Sequence, residues 1–313
     1  MPKISARWLA PILLAVVSAF VAVGFVGVDH YAQNYWLYRG FPPPHDPAYV
    51  TQRGKIEHIK VASAALGGRN QDVYVYLPPG YQQHPNQHYP VLYLLHGFPG
   101  RPLAFILTVR MGVVEDELVA KHKAQPLILV MPFGSTGTFT DKEWANGVNP
   151  GEAWATFVSR DVVKAIDARY RTIPTPSARG IGGLSEGGYG ALNIAVQNPG
   201  EFSLVESWSG YQQAARNHSI FGRQLAGLVR NSPLDRLRAA APALRRSHTY
   251  VWFYTGTHDE LVQQNRDFAK ALTAAHVRHT YIESPGGHNW ALWRGMAWRA
   301  YLTAAGRLHA TAP

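Results

Sequence analysis

The chain has 313 residues, 46% of them hydrophobic, no cysteine, and a formal net charge of +10. That apolar content is ample for a packed core and excludes a disordered chain. The lack of cysteine excludes disulfides, thiolate metal sites and a cysteine nucleophile. The basic residues are scattered or gathered in one mid-chain segment without a nucleic-acid motif. They read as solvated surface facing anionic headgroups or cell-envelope polymers, and no nucleic-acid partner is expected.

The chain begins with Lys3 and Arg7, followed by an uncharged apolar run over 8–28. At about 1.5 Å per residue this run spans roughly 30 Å, the thickness of a bilayer core. Asp29 follows, then Tyr31, Tyr35, Trp36 and Tyr38, which suit an interfacial aromatic belt. Positive charge before the span and none just after it predicts a cytoplasmic tail over 1–7 and an extracytoplasmic remainder. The alternative is a cleaved signal peptide, but its apolar core usually runs only about 7–15 residues. Residues 29–53, with Pro42, Pro43 and Pro44, read as a proline-rich spacer.

From residue 54 to 308 the pattern is that of one catalytic domain. Strands are predicted over 55–61 and 72–77, then over 89–95 and 127–131, two continuous apolar runs of the kind buried on both faces of a parallel sheet. A helix over 155–170 leads to a strand before Ser185, a helix over 188–197 follows it, and a strand covers 202–208. Residues 211–248 look like an insertion, holding seven arginines (216, 223, 230, 236, 238, 245, 246) against one acid, Asp235. Within it Ser232 before Pro233 reads as a helix N-cap. A strand over 250–254, a helix over 261–275, a strand over 278–283 and a helix over 290–308 complete the chain. Strands alternating with helices predict an α/β protein with a mostly parallel, doubly wound sheet.

The chemistry is concentrated in three places. Gly183-Leu184-Ser185-Glu186-Gly187 reads G-x-S-x-G, the pattern of a strained strand-to-helix turn that lifts a serine hydroxyl above the sheet. The glycines are needed because side chains flanking the serine would meet neighbouring backbone. A serine hydroxyl needs a base, and the base needs an orienting acid. Asp259 stands in the loop after the strand over 250–254, and His288 in the glycine-rich loop after the strand over 278–283. These are assigned as acid and general base, with Glu260 and Asp267 as alternatives for the acid. The oxyanion hole is expected from the backbone N–H groups of Glu186 and of Phe98, the latter in the loop His96-Gly97-Phe98-Pro99-Gly100. His96 is given no proton-transfer role. Trp144, Trp208, Trp290 and Trp293 are candidates for a pocket lining, with core packing as the alternative. No metal-ligand spacing and no Walker loop is found, so neither a metal nor a cofactor is expected.

On these residues the stretch from Gly54 to Leu302 resembles the esterase D-like branch of the α/β-hydrolases, which includes S-formylglutathione hydrolases, feruloyl and acetyl-xylan esterases and mycolyltransferases. The matching segments are 75–81, 89–97, 166–172, 183–191, 256–261 and 285–293. The resemblance implies an α/β-hydrolase fold, nucleophile Ser185, acid Asp259 and base His288, acting on an ester or acyl substrate. It leaves open hydrolysis, acyl transfer to an envelope lipid or sugar hydroxyl, and a non-catalytic binding role. Family members often carry methionine where this chain has Glu186. The arginine-rich segment and the N-terminal anchor are not general family features.

Overall fold

The structure is a computed structural model; it describes residues 6–137, 139–214 and 217–309, with side chains from residue 10 onward. Residues 1–5 of the expected tail and Arg216 of the basic segment lie outside the described residues. The chain divides into two units at residues 43 and 44.

In the first unit, α1 (Ala6–Tyr38) is a single helix. Its stretch from Ala10 to Tyr38 is long and apolar enough to cross a membrane by length and composition. The helix continues past residue 28 into the region read as spacer. No proline or glycine interrupts 29–38, and side-chain pairs one turn apart bridge Gln33 to Asp29 (2.7 Å) and Asn34 to His30 (2.8 Å). Gly40 and the three prolines then end it.

The second unit is built on an eight-stranded sheet in the order β1-β2-β4-β3-β5-β6-β7-β8. The strands are β1 (Lys55–Ser63), β2 (Arg69–Leu77), β3 (Val91–Leu95), β4 (Ile128–Pro132), β5 (Arg179–Leu184), β6 (Leu204–Trp208), β7 (Tyr250–Gly256) and β8 (His279–Ser284). β1 and β2 are antiparallel to each other and β2 to β4; every other pairing is parallel. This is the mostly parallel sheet of an α/β-hydrolase fold. The predicted strand over 89–95 starts two residues late. Pro90 has no N–H to donate, and Tyr89 instead bridges to Thr172.

The helices are α2 (Ala104–Leu107), α3 (Met111–Ala120), α4 (Trp154–Thr156), α5 (Val163–Arg169), α6 (Glu186–Gln197), α7 (His218–Phe221), α8 (Leu225–Arg230), α9 (Pro233–Arg246), α10 (Val262–Ala274) and α11 (Trp290–Arg307). A π-turn over Phe157–Val162 joins α4 to α5. Alternate residues of each central strand feed two separate cores. In β3, Val91, Tyr93 and Leu95 pack with α5, α6, α9 and α10, while Leu92 and Leu94 pack with α3 and α11. All five are completely buried, which explains why the run is apolar throughout rather than alternating.

The basic segment is partly folded into this scaffold. Leu237, Ala240, Ala241 and Leu244 of α9 are buried in the core beside α6, which leaves Arg238, Arg245 and Arg246 exposed and Arg236 half-buried. Ser232 precedes α9 as expected, but its hydroxyl does not cap the helix. It donates to Leu228 O (2.8 Å) and accepts from Ala214 N–H (3.0 Å), tying α8 to the preceding loop instead.

Candidate active site

Ser185 is placed by the junction of β5 and α6. Its backbone has φ 55° and ψ −122°, a conformation costly for a residue with a side chain. It is held there by hydrogen bonds from Ser185 N–H to Trp208 O (2.8 Å) and from Gly188 N–H to Ser185 O (2.9 Å). A Cβ on Gly187 would lie 1.8 Å from Leu95 O, and one on Gly183 would lie 2.4 Å from Gly187 O. The turn therefore forms only where both positions lack side chains.

Asp259 and His288 come from the loops after β7 and β8. These loops touch backbone to backbone: His258 N–H donates to Gly286 O (2.8 Å) and Thr257 N–H to Ser284 O (2.9 Å). A Cβ on Gly256 would stand 2.3 Å from Gly286 O, so the approach depends on glycine there. The contact delivers His288 between the other two residues. Its Nε2 lies 2.9 Å from Ser185 Oγ, and its Nδ1 lies 3.1 and 3.3 Å from the two oxygens of Asp259. All three sequence-predicted residues are thus brought into one hydrogen-bonded line. Glu260 is exposed, and Asp267 faces Gln263 and Lys270 on α10, so neither alternative acid enters it.

The Asp259 side chain is fully buried. Burial pushes its pKa up, but hydrogen bonds from His288 and from Leu261 N–H (2.9 Å) outweigh this, leaving the carboxyl below the usual aspartate range. It is therefore ionised at neutral pH and fixes the Nδ1–H tautomer of His288. The Trp293 ring packs perpendicular to the imidazole, with ring centres 5.1 Å apart. Such a line lets the imidazole take a proton from the hydroxyl while the carboxylate stabilises the cation formed.

Of the two expected oxyanion donors, Glu186 directly follows Ser185, and Phe98 follows a residue that packs against it. Glu186 opens α6, where its N–H precedes the intrahelical bonds. Phe98 follows Gly97, whose added Cβ would lie 3.1 Å from Ser185 Cβ. Phe98 itself is 45% exposed. His96 is structural: it is buried, its Nδ1–H donates to Gly97 O (2.9 Å), and its Nε2 accepts from Gly134 N–H (3.1 Å). Burial lowers its pKa to about 4, so it stays neutral. Trp144 and Trp208 are fully buried, the former donating from Nε1 to His96 O (2.9 Å).

The Glu186 side chain is buried beside Asp141 and Glu143. Burial first, then these two charges, raises its pKa well above the ordinary value. Burial also raises Glu143 to about 7, against a hydrogen bond from Tyr211. Sequence reasoning did not find Glu143 or Tyr211, which lie 43 residues before and 25 residues after Glu186 and meet it only through folding.

The chain is similar to known proteins. A family model described as "Putative esterase" matches residues 63–305. An esterase of Mycobacterium tuberculosis is 28% identical over 262 residues, covering 75% of this chain and 56% of the relative. A diacylglycerol acyltransferase/mycolyltransferase of Mycobacterium leprae is 23% identical, covering 93% of this chain and 90% of its own. Among solved structures, a ferulic acid esterase superposes with a TM-score of 0.71 at 25% identity, covering 81% of this chain and 99% of that one. The chain spans about half the length of the first curated relatives it matches. By the matching family model, this chain belongs to the Putative esterase family.

Proposed function

We propose that this protein is a serine carboxylic-ester hydrolase acting through an acyl-enzyme. The observation that carries the reading is the hydrogen-bonded line Ser185–His288–Asp259, held at the carboxyl ends of β5, β7 and β8 by glycine-dependent turns. Ser185 Oγ attacks the ester carbonyl as its proton passes to His288 Nε2. The resulting oxyanion is received by the N–H groups of Glu186 and Phe98. On collapse, His288 returns the proton to the departing alcohol and the acyl group stays on Ser185. A water molecule, deprotonated by His288, then releases the acid. Asp259 remains ionised throughout.

The similarity to the M. leprae acyltransferase along nearly the whole chain favours a second reading. In it an envelope lipid or sugar hydroxyl replaces water in the last step, and the triad is unchanged. In both readings α1 anchors the protein, with residues 1–7 cytoplasmic and the catalytic domain outside. A signal peptide is the alternative for that segment.

The test is hydrolysis of short and long p-nitrophenyl esters by the full chain and by Ser185→Ala, with mass spectrometry after fluorophosphonate treatment. Loss of activity in the variant with the adduct on Ser185 supports the mechanism. Labelling without turnover, restored by an added hydroxyl acceptor, selects transfer. A folded protein that neither labels nor turns over leaves only a binding role. Protease accessibility in sealed cells reads the membrane orientation.

A further inference from the structure

A cavity of about 400 Å³ opens on the side of the sheet away from Ser185. It is bounded by Ser203 just before β6, Tyr250 at the start of β7 and Arg278 just before β8. Asp259 and His288 follow the opposite ends of the same strands. β7 runs from Tyr250 to Gly256, so at about 3.3 Å per residue the two sites stand roughly 20 Å apart. The cavity is no part of the ester site.

Its chemistry is strongly one-sided. Arg246, Arg278, Arg307 and His248 line it together with hydroxyls and no carboxylate. Among the described residues, arginine–carboxylate pairs form at Arg53, Arg69, Arg160, Arg179 and Arg266, and none involves these three. Two of the guanidiniums are steadied without being neutralised. Arg278 donates to His248 O (2.6 Å), and Arg307 lies over the Tyr250 ring at 3.8 Å. Arg246, the last residue of α9, belongs to the basic segment that the ester chemistry leaves unused.

We propose that this cavity binds a phosphate-bearing anion. Guanidinium forks match the geometry of tetrahedral oxyanions, and several uncompensated cations around one cavity suit a ligand of more than one negative charge. Ser203 and Ser247 also line it, but their hydroxyls donate to backbone carbonyls, so the guanidiniums are the anion donors. The ligand is either free phosphate or the phosphate of an anionic lipid headgroup.

The experiment uses the full chain in neutral detergent micelles at constant ionic strength, with Tm read by tryptophan fluorescence. One arm titrates inorganic phosphate; the other dopes the micelles with phosphatidylglycerol. The wild type should be stabilised in at least one arm, and Arg278→Gln with Arg307→Gln should weaken apparent affinity by about tenfold or more. A charge-matched pair at the far sheet edge, Lys55→Gln with Lys60→Gln, should bind as the wild type does. Far-UV circular dichroism verifies that each variant is folded. A response to both ligands supports a site for phosphate as such, and a response to doped micelles alone supports a headgroup. No response in either arm, or equal weakening in the lysine pair, overturns the proposal.

Discussion

Replacing Asp259 by asparagine tests the proposed mechanism at the residue whose removal should change chemistry while leaving shape intact. The carboxylate is fully buried; one oxygen accepts from Leu261 N–H at 2.9 Å, and the other lies 3.1 Å from His288 Nδ1. In Asp259→Asn the amide oxygen keeps the Leu261 bond, which turns the NH2 group towards Nδ1. His288 must then accept at Nδ1 and carry its proton on Nε2, where it donates to Ser185 Oγ instead of taking its proton. The imidazolium of the transition state also loses its counter-charge. Together these should lower kcat/KM by about 10³–10⁴, or roughly 4–5.5 kcal/mol of transition-state stabilisation. Because the Asp259 pKa lies below 3.8, the aspartate stabilises the fold above that pH and loses its contribution as pH falls through its folded pKa. The variant should therefore show a flatter acid limb in its stability profile. The assay is p-nitrophenyl acetate hydrolysis from pH 6 to 9 with the rate of fluorophosphonate labelling, and the control is Glu260→Gln, which should stay within about twofold. More than about a tenth of wild-type activity in Asp259→Asn, or an equal loss in Glu260→Gln, refutes the assignment.

Gly187→Ala should lose more than about 3 kcal/mol of stability or fail to fold, because its Cβ would sit 1.8 Å from Leu95 O; a Tm close to that of the wild type would show that the elbow has slack. Phe98→Ala should alter kcat on acetate esters by less than about threefold, since its proposed donor is the backbone N–H; a hundredfold loss would mean that the exposed ring binds the transition state. Glu206 is wholly buried, accepts from Trp208 Nε1 (3.0 Å), and has its pKa raised well above 4.5 by burial. Its contribution is complete below pH 4.5 and declines as pH rises towards the folded pKa, by about 1.4 kcal/mol per pH unit. Glu206→Gln keeps the Trp208 bond, so its stability relative to wild type should increase from pH 5 to 8 in denaturant titrations, and parallel curves would contradict the shift.

Much of the fold follows from short-range pattern. The apolar runs at 91–95 and 128–132 require burial on both faces, and the parallel sheet supplies it. The G-x-S-x-G turn is legible because its glycines answer a local steric demand, visible as contacts with Leu95 O that no side chain survives. The acid was less determined by its neighbourhood. Asp259 and Glu260 are adjacent and chemically alike, and only the paired loops after β7 and β8 turn one of them to His288. The N-terminal helix runs on to Tyr38, past the apolar run over 8–28, because nothing in 29–38 opposes a helix.

The sequence by itself determined the nucleophile turn, the buried strands and the apolar N-terminal segment. Each of these depends on residues within a turn or a strand of one another. Only the tertiary structure decided which carboxylate faces His288, that Glu186 is buried against Asp141 and Glu143, and that Arg246, Arg278 and Arg307 share one cavity. Those facts join residues tens of positions apart. Strand order and loop contact set such distances, and no local period in the sequence encodes them.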